Sequence, residues 1–399
     1  MIPRTLAAPL RQAARQFPVV TLTGPRQSGK TTLVRHVFPR YEYVSLELPD
    51  LRRLALEDPR GFLAQFRKPV ILDEVQRAPE LFSYLQVLVD EHPDRTGRFI
   101  LTGSQNFLLL ESISQTLAGR CAVLHLLPLS LAELQGRAPL SLGTLGRRVP
   151  PRRKPPPKDM LQTLFAGFFP RIHDRKLPPP VWLASYYQTY LERDVRQVLN
   201  VGDLESFGRF VRLCAGRCGQ LLNLSSLASD CGVAHTTARR WLSVLEASFV
   251  IVLLRPYHRN FGKRLVKSPK LYFLDPGLLC FLLQIRSPEE LFQRAERGAV
   301  FESFVLAELF KNFLHRGQQP TIFYWRDSTG HEIDFLLDLG SRLVAVETKS
   351  AQTITPEFFK NLDFWHRLPG QGSTASALIY GGPQALRRRN TVIYPWFSL

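Results

Sequence analysis

The first 130 residues alternate short apolar runs with longer polar, helix-length stretches. Phe17 to Leu22 (FPVVTL), Tyr41 to Leu46 (YEYVSL), Pro69 to Asp73 (PVILD), Arg98 to Thr102 (RFILT) and Ala122 to Leu126 each have strand length. Such runs, bounded by polar or turn residues, predict strands. Helices are expected over residues 1–16, from Thr31 to Val37, and over Phe107 to Ala118, with Gly119 as the residue that ends the last one. From Leu161 the pattern becomes helical and includes Val181 to Leu199. Leu224 to Ala228, then Cys231-Gly232-Val233, then His235 to Glu246 read as helix, Gly-containing turn, helix. Strands follow over Phe249 to Leu254 and Lys270 to Leu274, joined by a basic tip. An apolar helix begins near Glu302 (FESFVLAELF). Thr321 to Trp325, Glu332 to Leu337 and Leu343 to Lys349 read as three further strands, the last two forming a hairpin.

Composition sharpens this picture in three places. Residues 147–158 (RRVPPRRKPPPK) hold six basic residues and five prolines, which predicts an exposed, semi-rigid linker. The 52 Lys+Arg exceed the 34 Asp+Glu, a formal charge of +18 that calls for a polyanionic partner, nucleic acid first. The five cysteines are irregularly spaced, which excludes a disulfide framework. Cys214, Cys218 and Cys231 with His235 would be the only zinc set, and buried free thiols are the commoner outcome. No apolar run reaches membrane-spanning length, and Pro3, Arg4, Pro9 and Arg11 interrupt any secretory segment, so a cytoplasmic protein without a membrane partner is expected.

One turn carries the main chemistry. Gly24-Pro25-Arg26-Gln27-Ser28-Gly29-Lys30-Thr31-Thr32 fits G-x-x-x-x-G-K-[ST], between a predicted strand and a predicted helix. In that setting a loop's backbone N–H groups face a polyphosphate, and the helix N-terminus favours the anion. Lys30 is expected on the β- and γ-phosphates and Thr31 on Mg²⁺, so ATP and Mg²⁺ are the expected cofactors. About forty residues on, Asp73 and Glu74 end an apolar strand. Asp73 suits support of the Mg²⁺ and Glu74 suits the general base. The tip of the next strand should lie between these two motifs, where Ser104 or Gln105 could orient water or sense the γ-phosphate. Arg120, just after a helix end, suits an arginine finger reaching a neighbouring subunit.

Two further sets concern DNA. Thr236, Thr237, Arg239 and Arg240 open the second helix of the helix-turn-helix, where recognition residues lie. With the basic tip after Leu254 this describes a winged helix, and Lys263, Arg264, Lys267 and Lys270 are expected on phosphates. Period-two alternation puts Glu347 and Lys349 on one strand face, with Asp334 able to face Glu347 across the hairpin. Two carboxylates and a lysine so arranged suit metal-assisted phosphodiester cleavage, with Asp334 and Glu347 on Mg²⁺. A solvated strand edge would carry the same residues.

The phrases GPRQSGKTT, VILDEVQ, SQTLAGR, YLERDV, RLVKSPKLYFLDPGL, GAVFESFVLAEL and EID…VETK occur in this order. The chain resembles a large prokaryotic group of AAA-type ATPases with a C-terminal DUF4143 domain, over nearly its whole length. The resemblance implies an α/β multidomain fold: an AAA-type parallel-sheet core, a winged helix, and a restriction-endonuclease-like PD-(D/E)xK domain. It carries over at Lys30, Thr31, Asp73 and Glu74, and at Glu302, Asp334, Glu347 and Lys349. The expected domains are 1–140 (ATPase core), 141–160 (linker), 161–288 (helical and winged-helix region) and 289–399 (nuclease-like domain). The expected function is an ATP-hydrolysing machine that self-associates as a ring, a hexamer being one such ring, and remodels or moves along DNA. The alternative is a nucleotide-dependent switch or scaffold whose nuclease-like domain is degenerate and binds a protein partner.

Overall fold

The computed structural model describes residues 2–103, 116–151, 154–156, 158–192, 204–257, 268–368, 370 and 374–399. The chain divides into two compact units. The first comprises residues 1–129, 247–249 and 313–319, and the second the remainder.

The first unit is built on β1 (Val19–Thr23), β2 (Glu42–Ser45), β3 (Val70–Asp73), β4 (Phe99–Thr102) and β5 (Cys121–His125). All pair in parallel, in the order β2-β3-β4-β1-β5. The predicted apolar runs are these strands to within two residues. Successive side chains point to opposite faces, and both faces are covered. Val19, Val70, Leu72, Phe99 and Leu101 pack with α3 (Pro49–Glu57), α4 (Pro59–Ala64) and α5 (Leu81–Asp90). Val20, Leu22, Ile71 and Ile100 pack with α1 (Ala7–Gln16) and α2 (Lys30–Val37). The order sets the tip of β4 between those of β1 and β3.

In the second unit the helices Leu224–Cys231 and His235–Ala247 flank the turn at Gly232, which adopts φ 70°. β6 (Ile251–Leu254) and β7 (Lys270–Phe273) pair antiparallel. Of the helix expected to Leu199, an α-helix over Pro179–Tyr186 passes into a π-helical stretch over Tyr187–Glu192, and the remainder lies outside the described residues. A six-stranded mixed sheet follows, in the order β12-β13-β11-β10-β9-β8. Its strands are β8 (Ile322–Arg326), β9 (Glu332–Asp338), β10 (Leu343–Lys349), β11 (Ala375–Tyr380), β12 (Leu386–Arg388) and β13 (Thr391–Pro395). The helix Arg297–Leu314 begins more than a turn before Glu302.

The segment just before the proline- and arginine-rich stretch is packed, while Arg147, Arg148, Val149 and Pro151 within the stretch are exposed. Leu142 and Leu145 are buried. The Arg342 guanidinium donates to the carbonyls of Leu142, Gly143 and Leu145 at 2.8–3.0 Å. The Tyr394 hydroxyl accepts from the Gly146 amide at 3.0 Å and donates to the Arg148 carbonyl at 2.8 Å.

Candidate active site

The loop between β1 and α2 is held by backbone geometry. Gly24 has φ 146°, and a Cβ there would lie 2.2 Å from the Leu126 carbonyl oxygen. Gly29 caps α2 at φ 94°. Both conformations favour glycine. Arg4 braces the loop from outside: its guanidinium donates to the Ser28 carbonyl at 2.7 Å and the Leu127 carbonyl at 2.6 Å. Ser28 is fully buried, and among the described residues its hydroxyl has no hydrogen-bond partner. Lys30 is folded back on the loop, its Nζ 3.0 Å from the carbonyls of both Gly24 and Pro25. Burial lowers its pKa to about 8, against the opposing pull of Glu74 and Asp73. Arg26 is half-buried, while Gln27 and Thr32 are exposed.

Asp73 collects three hydroxyl donors. Thr31 Oγ1 lies 3.0 and 3.2 Å from its two oxygens, Tyr43 Oη donates at 2.8 Å, and Thr102 Oγ1 donates as well. Sequence reasoning missed Tyr43 and Thr102. Thr102 is the last residue of the strand between the two motifs, so a polar tip was foreseen there but assigned further on. Glu74 follows β3 at φ 56°, an uncommon left-handed conformation for a non-glycine residue, and accepts from the Gln76 amide. An oxygen-only set of one hydroxyl and one carboxylate, at the start of the helix that follows the loop, fits Mg²⁺ with a nucleotide.

Arg120 is bound within its own chain: Nε and Nη2 donate to Asp90 at 2.5 and 2.9 Å. Ser104, Lys263, Arg264 and Lys267 lie outside the described residues. Thr236, Arg239 and Arg240 are exposed on the His235–Ala247 helix and Thr237 is half-buried, while Ala238 and Trp241 turn inward. Cys214, Cys218 and Cys231 are buried free thiols.

At the end of β5, His125 Nδ1 and Thr23 Oγ1 are 2.7 Å apart, and the imidazole meets the Phe249 ring edge-on. Burial lowers the His125 pKa from 6.5 to about 4. The unfolded chain therefore takes up this proton first as pH falls. The first unit should hold its full stability above about pH 6.5 and lose up to about 3 kcal/mol on descent to pH 4. Hydrogen exchange at the β1 amides should show this slope in the wild type and a flatter one in His125→Gln.

A second charged cluster lies in the second unit. The β9–β10 register runs to Phe335 opposite Val346, the residues next to Asp334 and Glu347. Asp334 accepts from Thr348 N at 2.7 Å and Thr348 Oγ1 at 2.9 Å. Glu347 is buried and accepts from Lys349 Nζ at 3.0 Å. Glu302 accepts from Tyr272 Oη. Burial and then the Asp334 charge raise the pKa of Glu302 to about 7 and of Glu347 to about 8. Lys270, expected on DNA phosphates, is 4% exposed instead. It bonds Glu332, lies 3.8 Å from Glu302, and passes over the Tyr324 ring. Glu332 in turn meets Arg326 at 3.3 Å. Among the described residues no three Asp, Glu, His or Cys side chains are grouped to hold a metal ion. Lysines occupy the positions next to the carboxylates. As arranged, this set does not fit the Mg²⁺ expected between Asp334 and Glu347.

Three family profiles match the chain: an AAA domain over residues 16–135, a domain of unknown function (DUF8612) over 157–289, and another (DUF4143) over 297–399. Uncharacterized proteins of Mycobacterium tuberculosis and Mycobacterium bovis are each 33% identical over 393 residues, covering 98% of this chain and 82% of theirs. Among solved structures, a Walker-type ATPase of Pyrococcus abyssi aligns at TM-score 0.43 and 16% identity, covering 71% of this chain and 96% of that one. The RuvB Holliday junction branch migration motor of Thermotoga maritima aligns at TM-score 0.30 and 17% identity, covering 62% and 87%. The chain belongs to the family of AAA-domain proteins that carry a C-terminal DUF4143 domain.

Proposed function

We propose that this protein hydrolyses ATP at the β1–α2 loop and uses the cycle to remodel DNA or move along it. The observation that carries the reading is the convergence of Lys30, Thr31, Asp73 and Glu74 on one loop mouth. Thr31 and Asp73 would hold Mg²⁺, which supplies positive charge to the phosphate oxygens. Lys30 exchanges the carbonyls of Gly24 and Pro25 for phosphate oxygens, where its charge meets that developing in transfer. Tyr43 and Thr102 keep Asp73 aimed at Thr31. Glu74 orients the attacking water and takes its proton. Arg4 keeps the Ser28 carbonyl turned outward, so the loop amides stay directed at the anion.

The net charge of +18 and the exposed Arg239 and Arg240 at the start of a helix-turn-helix helix support DNA as the partner. β6 and β7 would form the wing. Self-association into a ring remains part of this reading, and Arg120 would then leave Asp90 to reach a neighbour's phosphate. The lysine-filled cluster around Asp334 supports the second reading for the C-terminal domain, a nuclease-like fold that binds rather than cuts.

ATP hydrolysis with linear, forked and four-way DNA over a salt series tests the proposal. One DNA form is expected to stimulate hydrolysis, the stimulation fading as salt rises. Arg239→Ala with Arg240→Ala should weaken it without lowering the DNA-free rate. Hydrolysis indifferent to every DNA would favour the switch or scaffold.

A further inference from the structure

Lys270 is the first residue of β7, yet its amine ends among carboxylates from two other elements. Glu332 opens β9, and Glu302 lies in the Arg297–Leu314 helix. Lys270 bonds Glu332 and stands 3.8 Å from Glu302. Glu302 also takes the Tyr272 hydroxyl, from two residues along β7. On the far side of Asp334, Lys349 holds Glu347. Glu302, Glu332, Asp334 and Glu347 thus bring four carboxylates into one partly or fully buried network, and Lys270, Lys349 and Arg326 bring three cations. Carboxylates this close and this sheltered need a counter-charge. In a metal-dependent site a divalent cation supplies it. Here the chain supplies it from β7.

We propose that Lys270 is a tethered counter-ion standing in for a divalent cation, so that the Glu302–Asp334–Glu347 cluster is an ion-pair lock joining β7, the Arg297–Leu314 helix and β9. One observation sharpens the point. Glu347 Oε1 is buried with no hydrogen bond of normal length among the described residues. The Asn361 side chain lies beside the same carboxylate. The lock accounts for the burial of Lys270 despite its place at the end of a basic segment. It deepens the second reading of the C-terminal domain and is independent of ATP hydrolysis in the first unit.

Thermal unfolding without nucleotide tests this. All five tryptophans (Trp182, Trp241, Trp325, Trp365 and Trp396) lie in the second unit, so tryptophan fluorescence follows that unit. Lys270→Met should lower its Tm by several degrees, and millimolar Mn²⁺ should restore most of the loss, because a ligand of the folded form stabilises it. Asp334→Asn added to Lys270→Met should abolish the restoration. The wild type should gain no more from Mn²⁺ than Asp334→Asn alone. A wild-type gain that Asp334→Asn removes would overturn the proposal, since the cluster would then take metal with Lys270 in place. A folded Lys270→Met that gains nothing from Mn²⁺ would overturn it as well. Should Lys270→Met fail to fold, Lys270→Gln carries the same comparison, and the wild-type arm decides on its own. ATP hydrolysis in Lys270→Met is expected at the wild-type rate, which separates failure of this inference from failure of the ATPase reading.

Discussion

Glu74→Gln should retain ATP and slow its hydrolysis about 10²–10⁴-fold. The carboxylate sits directly after β3, at φ 56°, beside an Asp73 already bound to Thr31. Glutamine keeps the shape and the backbone conformation and loses only the proton-accepting oxygen. In the proposed reading, nucleotide binding rests on the loop amides, Lys30 and Thr31, which the substitution leaves alone. Single-turnover hydrolysis and equilibrium binding of labelled ATP should therefore separate, with the rate collapsing and affinity holding. A rate within a few-fold of wild type would remove Glu74 as the base. An equal loss of binding would mean that the residue supports the loop rather than the water.

Lys311→Met should destabilise the second unit by about 3–5 kcal/mol, the usual cost of stranding one partner of a buried ion pair. Lys311 is fully buried. Its Nζ donates to Glu308 at 2.9 Å and lies 4.1 Å from the centre of the Phe168 ring. The other Glu308 oxygen accepts from the Leu131 amide at 2.9 Å. Methionine preserves the packing volume on Phe168 and leaves the Glu308 charge without its partner. For a unit of this size the loss corresponds to a Tm drop of roughly 10 °C, read by tryptophan fluorescence. Adding Glu308→Gln should recover much of it, since the amide oxygen can still accept from Leu131 while the buried charge is gone. A double variant as unstable as the single one would mean that Lys311 acts through its contact with Phe168.

Chemistry carried by one unbroken stretch was legible in the sequence. Gly24 to Thr32 needs only its own spacing to declare a phosphate loop, and Asp73-Glu74 needs only the apolar strand before it. The β9–β10 hairpin that carries Asp334 and Glu347 was legible as well. What converges from separate strands was not legible. Tyr43 and Thr102 reach Asp73 because β2 and β4 flank β3, an order that no local pattern encodes. Arg4 read only as a charge near a helix start, and it braces the loop through the Ser28 and Leu127 carbonyls. Lys270 looked like part of a basic surface because its neighbours in sequence are basic. Its burial depends on Glu332, 62 residues away. Arg120 read as a free finger, and Asp90, 30 residues before it, holds it. In each of these cases the charge was visible and its partner was not.

The most direct test of the account is phosphate release by purified protein with ATP and Mg²⁺, measured with and without DNA for wild type and Lys30→Ala together. The account predicts wild-type hydrolysis that DNA accelerates in a salt-sensitive way, and a Lys30→Ala rate lower by about 10²–10³-fold under every condition. Equal rates for the two proteins would contradict it, because hydrolysis would then not occur at the loop on which the site is built.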